Sequence, residues 1–152
     1  MAYFVINEWI WHDAEGEHGL AHQLLVLRLF ECLATTDHRI VVIEGSPFDH
    51  KAFARYTNPD QTVKRIARQY QLTVRFNSNC CRVLTTPDVA PLPEHLVSNV
   101  KDDDHYLVQA QLAIEGAIVV TTDGKLRTAL LASDLPCISR DEFFQTYFPQ
   151  IM

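Results

Sequence analysis

The amino-acid sequence predicts an α/β fold: three layers, α/β/α, around a central parallel sheet of four to five strands. Two observations lead there. Short apolar runs rich in β-branched and aromatic residues recur along the chain, separated by segments whose apolar residues repeat at helical spacing. Strands alternating with helices in this rhythm imply βαβ units with right-handed crossovers. The 152 residues suffice for one domain, 1–152, with a full-sized core.

Tyr3–Ile6 is a short apolar run of β-formers and reads as a buried first strand. From about Gly19 to Leu33, Leu20, Leu24, Leu27 and Phe30/Cys32 recur at helical spacing. The second strand, His38–Ile43, ends in a β-branched run. Gly45-Ser46-Pro47 then breaks the strand and starts a helix, with Ser46 as N-cap and Pro47 at the first helical position. Asp60 caps a further helix, Gln61–Tyr70. Leu72–Phe76 is expected to be the third strand. Residues 77–100, with Pro87, Pro91 and Pro93, promise only one or two helical turns near Glu94–Val97. A helix over 103–115, a strand over 117–121, a helix Lys125–Ala132, a short strand Cys137–Ile138 and a closing helix Arg140–Phe148 complete the pattern.

Composition narrows the function classes. Hydrophobic residues make up 47% and charged residues 21% of the chain, as in ordinary globular proteins. No apolar run reaches the roughly 18 residues needed to span a bilayer, so no membrane association is expected. The start, Met-Ala-Tyr-Phe-Val-Ile-Asn, lacks a basic region ahead of its apolar run and reads as a strand rather than a signal peptide. A cytoplasmic location is therefore expected. Cys32, Cys80, Cys81 and Cys137 form no CxxC pair and read as reduced thiols. The net charge of −6 argues against a protein gripping nucleic acid over a wide basic face, while leaving room for a nuclease with a small local one.

Polar residues collect where strands end and helices begin, the edge at which open α/β sheets bind ligands. Asn7 and Glu8 end strand one. Glu44 ends strand two, with Asp49 one turn into the next helix. Asp102, Asp103 and Asp104 open the late helix, and Asp123 follows the fourth strand. Each acid alone has a structural explanation, since Asp at a helix start is a cap and Asp123-Gly124 a turn. Together they suit a divalent metal: Mg²⁺ needs only one or two direct carboxylates plus waters and phosphate oxygens.

Lys125 and Arg127, just beyond Asp123, stand close enough to receive phosphates, with Thr121 beside them. Lys64, Arg65 and Arg68 form a second basic stripe, and Lys51 with Arg55 a third, both readable as solvated helix faces. Trp9 and Trp11 could stack on bases but read more simply as packing residues. His12, Asp13, His18 and His22 could form a zinc site, although their Glu15-Gly16-Glu17 surroundings look like a solvated loop.

The acids that open the late helix, then Leu107, Ala110 and Ala113, then Gly116-Ala117-Ile118-Val119-Val120-Thr121-Thr122-Asp123-Gly124-Lys125-Leu126, and finally Pro136-Cys137-Ile138-Ser139-Arg140-Asp141-Glu142-Phe143-Phe144, resemble the C-terminal half of a PIN domain. Tyr3-Phe4-Val5-Ile6-Asn7-Glu8 resembles that family's first strand. The order of elements matches over the whole chain, and the motifs are specific over residues 100–144. The resemblance implies a metal-dependent endoribonuclease that cleaves single-stranded RNA with a metal-activated water. Mg²⁺ or Mn²⁺ would be held by three or four acids.

Carried over, Asp123 falls on the family's fourth-strand acid. Counting back from Gly116 puts His105 on the helix-opening position. A shift of one residue puts Asp104 there, with Asp102 as second choice. The mid-chain acid is Asp49 or Glu44. The resemblance also suits the toxin of a toxin–antitoxin pair, with an antitoxin protein as partner, and allows a homodimer.

One departure stands out. The family has Asp where this chain has Asn7. At an effective dielectric of ~20 and a separation of ~4 Å, the missing charge is worth on the order of 4 kcal/mol of attraction to a cation before desolvation. Metal affinity should fall unless Glu8 or Asp13 compensates. A PIN-fold protein that has lost catalysis and serves as an RNA- or protein-binding module is the alternative this residue raises.

Overall fold

The computed structural model describes residues 1–152. Five strands form one all-parallel sheet: β1 (Tyr3–Ile6), β2 (Arg39–Ile43), β3 (Cys81–Leu84), β4 (Ile118–Val120) and β5 (Cys137–Ile138), in the spatial order β3-β2-β1-β4-β5. Side chains alternate between the faces of a strand, and here both faces are apolar. Phe4, Ile6, Ile40, Val42 and Val120 join one core cluster, while Val5, Val41 and Val119 join another. The sheet is therefore covered on both sides, giving the expected three layers.

The first face carries α1 (Trp9–Ala14), α2 (Leu20–Cys32), α3 (Pro47–Tyr56), α4 (Gln61–Tyr70) and, from the far end of the chain, α8 (Arg140–Tyr147). Its core is aromatic: Trp11 packs on Phe30, Phe48 and Tyr70, and Phe4 on Phe143 and Phe148. The second face carries α5 (Glu94–Asn99), α6 (His105–Ala113) and α7 (Gly124–Ala132), packed through Leu96, Leu107, Val108, Leu126 and Leu130. Crossovers toward β3 and toward β5 thus lie on opposite faces. The strand order reverses between β1 and β4, and a reversal of this kind opens a crevice at the carboxyl ends of the two strands.

Local chemistry explains several boundaries. Ser46 caps α3 by accepting from the Asp49 amide (3.4 Å), and Pro47 occupies its first position. Gly45, at φ +73°, makes the left-handed turn out of β2 that a side chain would strain. Asp60 caps α4 through the amides of Thr62 and Val63, and Ser139 with Glu142 forms a capping box on α8. No helix is long and apolar enough to cross a membrane.

The third strand is not where β-propensity places it. Leu72–Phe76 is no strand; Gln71–Arg75 prolongs α4 as a π-helical turn. That winding buries Val74 and Arg75 and leaves Leu72 and Phe76 exposed. The Thr73 hydroxyl donates to the Gln69 carbonyl (2.6 Å), and the Arg75 guanidinium reaches Asp49. An Asx turn at Asn77, whose side chain accepts from the Asn79 amide, then leads into β3. The expected helix over 103–115 begins as a 3₁₀ turn at Asp102–Asp104 and becomes α-helical only from His105.

Candidate functional site

The crevice between β1 and β4 is an acidic cavity of about 370 Å³ whose lining includes Asn7, Glu8, Asp103, Asp104, Thr122 and Asp123. Each strand delivers its residues by running out. The Asn7 amide still bonds the Val120 carbonyl (3.0 Å), the last rung of the ladder, and Glu8 follows as N-cap of α1. The buried Trp9 indole donates to the same carbonyl (3.0 Å), clamping α1 onto the end of β4.

Asn7 is held at both ends of its side-chain amide. Its side-chain NH₂ donates to Thr121 Oγ1 (3.0 Å), and its carbonyl oxygen accepts from the Glu8 amide (2.7 Å). Thr121 Oγ1 also accepts from the Asp123 amide (3.0 Å). Thr121, expected to meet substrate, is 2% exposed and instead positions Asn7 and Asp123. Asp123 caps α7: its Oδ1 accepts from the amides of Lys125 (2.9 Å) and Leu126 (3.3 Å). Its Oδ2 accepts no hydrogen bond, and the residue lines the cavity.

Among the three successive aspartates the geometry discriminates. Asp104 is partly buried and faces the cavity, and Asp103 lines its rim. Asp102 is 98% exposed and lies near His105 (3.7 Å), outside the lining. His105, the other candidate for that position, is tied to the Val100 carbonyl (2.8 Å). Burial, reinforced by the charges of Asp123 and Glu8 and opposed by Lys101, raises the Asp104 carboxyl above its ordinary range. Burial first, then the charges of Glu8 and Asp104, push the Tyr106 phenol well above the usual tyrosine range; Glu8 lies beside its hydroxyl without forming a hydrogen bond of good geometry.

The mid-chain acids do not join this group. Asp49 is 2% exposed and engaged by Arg75 at both oxygens (2.8 and 3.0 Å), with the Gly45 amide as a third donor (3.0 Å). As a metal or catalytic candidate it is corrected to a structural ion pair. Glu44 is exposed at the end of β2 and is absent from the lining. Asp13 does not compensate for Asn7 either, because it is buried under Arg140 (3.0 Å) and His18 (2.6 Å). His12 sits apart from that pair, grouped with Glu15 and Glu17 (ligand atoms within 4.8 Å), while Arg55 already pairs with Glu15 (2.8 Å). Trp9 and Trp11 are buried core residues, 4% and 0% exposed.

Glu8, Asp104 and Asp123 are thus the carboxylates that could hold a divalent cation. They are hard oxygen donors lining one cavity, and burial first, with the Asp123 and Glu8 charges second, raises the Asp104 carboxyl, a charge that a cation would relieve. Their oxygens are not all within 4.8 Å of one another, a closeness found for His12, Glu15 and Glu17. Glu8 is shared with Lys51 (2.6 Å). Lys101, Lys51 and Tyr106 were not singled out for the site by sequence pattern. Lys101, immediately before the three aspartates, was the one with a usable signal. Comparison with protein-family models, with curated proteins and with solved structures finds no match.

Proposed function

We propose that this protein is a PIN-type, metal-dependent endoribonuclease acting on single-stranded RNA in the cytoplasm. The observation that carries the reading is that Glu8, Asp104 and Asp123 line one cavity with Asn7 at the point where strand order reverses. A Mg²⁺ or Mn²⁺ ion there would supply Lewis acidity, activating a water and offsetting phosphodiester charge. Asp104 and Asp123 would hold the cation. Asn7 keeps Asp123 in place through Thr121 and presents a neutral oxygen where a fourth charge would lie. Glu8 contributes the third carboxylate, at the cost of competition from Lys51. The toxin role, with an antitoxin partner or a homodimer, rests on the resemblance alone.

The second reading is a non-catalytic RNA- or protein-binding module, and Asn7 is the observation that favours it. Incubation of labelled single-stranded RNA with the protein and Mn²⁺ or Mg²⁺, beside Asp123→Asn and Asn7→Asp, separates the two. Cleavage abolished by EDTA and by Asp123→Asn supports the nuclease. No cleavage by the wild type, but a gain in Asn7→Asp, supports the module. Asn7→Asp should fold, because the Thr121 hydroxyl can turn and donate to the new carboxylate. Thermal stability and RNA binding that ignore metal in all three proteins would sink the acidic site itself.

A further inference from the structure

The cations around the acidic cavity fall into two groups. On the α1, α3 and α8 side they are neutralised: Lys51 by Glu8 (2.6 Å), Arg55 by Glu15 (2.8 Å) and Arg140 by Asp13 (3.0 Å). Arg127, expected to contact phosphate, lies 3.6 Å from Glu142. Lys101 and Lys125 enter no ion pair and donate no side-chain hydrogen bond. Both are exposed, and both line a groove of about 1010 Å³ that runs between α5 and α7 and opens at Asp123. His95, Asn99, Thr128 and Ser133 make up most of its polar wall, and Asp123 is its only acid. A smaller recess joins Lys101 and Lys125 to both Asp104 and Asp123, making the groove continuous with the acidic site.

We propose that this α5–α7 groove is the RNA track, with Lys101 and Lys125 gripping the phosphates next to the one that reaches Asp104 and Asp123. The inference deepens the reading of the cavity as an RNA site and rests on it. The physical reason is the asymmetry of the field. On the α1 side the cavity presents Glu17 and Glu8, the one beside His12 and the other paired with Lys51, and no unpaired lysine or arginine. On the α5–α7 side two unspent ammonium groups attract a polyanion. In a chain of net charge −6, such local attraction selects the direction of approach. Lys is suited to the task as a mobile point charge that grips phosphate without reading sequence.

The test is binding in EDTA, which separates grip from cleavage. A fluorescein-labelled single-stranded RNA of roughly 12 nucleotides, long enough for one site, is titrated by anisotropy at several salt concentrations. Wild type is compared with Lys101→Ala/Lys125→Ala and with a double of equal charge loss on α4, Lys64→Ala/Arg65→Ala. Two lost phosphate contacts should reduce the single-strand salt slope by ~1.4, or roughly 25-fold in affinity at 0.1 M salt. The α4 double should stay within about 2-fold of wild type on the same principle. Equal losses in the two doubles would mean diffuse attraction and would overturn the groove, as would a wild type that does not bind. Wild type that binds through Lys101 and Lys125 yet never cleaves with Mn²⁺ would leave the track standing and remove the nuclease.

Discussion

Asp49 and Asp123 occupy similar places, each near the start of a helix that follows a strand of the same sheet, after β2 and after β4. Their environments differ completely. Beside β2, successive crossovers lie on one face, so α4 and its π-helical end fold back over α3 and bring Arg75 onto Asp49. Beside β4, the following helix α7 lies on the face opposite to α1, which follows the neighbouring β1, so no helix is laid over Asp123, which spends one oxygen on its cap and lines the cavity between the two strands. A carboxylate at a strand end becomes structural or available according to whether the topology covers it. Proximity to the edge alone decides nothing.

The sharpest way to break the comparison is Arg75→Met. It strands the Asp49 charge in the core, and removing one member of a buried pair costs about 3–5 kcal/mol. Urea unfolding should register that loss, with cleavage per folded molecule unchanged; lost metal dependence at retained stability would make Asp49 a ligand after all. Asp123 should behave in the opposite way. Asp123→Ala should lose its cap, about 1 kcal/mol, whereas Asp123→Asn caps as well as Asp and should stay within a few tenths of a kcal/mol of wild type. Both should lose the stabilisation that Mn²⁺ gives the wild type in thermal melts. Retention of that stabilisation in Asp123→Asn would remove Asp123 from the metal site.

The smallest effect concerns Asp104. Its folded-state carboxyl titrates above the unfolded value of 3.8, so the folded protein binds the extra proton in that window. Its contribution to stability therefore falls as pH rises from 3.8 through the raised pKa, and the cost is fully present at neutral pH. Asp104→Asn should melt slightly higher than wild type at pH 7 in EDTA, with the difference vanishing in acid. Melts in which wild type gains on the variant as pH rises would show that burial and the neighbouring charges do not raise the Asp104 carboxyl.

The sequence made four of the five strands legible because three are apolar β-branched runs and Cys137–Ile138 follows a helix at the expected spacing. β3 escaped because it is an edge strand whose Arg82 faces solvent, so it needs little hydrophobic pattern. Leu72–Phe76 has the stronger β-propensity, but the Asp49–Arg75 pair holds it in a helical turn, a tertiary contact invisible to a local reading. The site divides in the same way. Asp123 is legible from motif spacing, whereas for Asp104 the count falls one residue away, on His105. The pairing of Asp49 is invisible locally because its partner lies 26 residues on, and only the helical turn into α1 brings Glu8 to the cavity.

The seam between β1 and β4 also sets a schedule. Asn7 and Thr121 are 114 residues apart, yet their hydrogen bond closes the floor of the site. At cellular synthesis rates of about 5–20 residues per second, roughly ten seconds separate their emergence from the ribosome. Strands β1, β2 and β3 can assemble in that interval, but they form only one wall of the crevice. The acids meet when the last third of the chain arrives and adds β4 against the exposed edge of β1. A nascent or truncated chain that ends before Gly116 therefore has a partial sheet and no assembled acidic cavity.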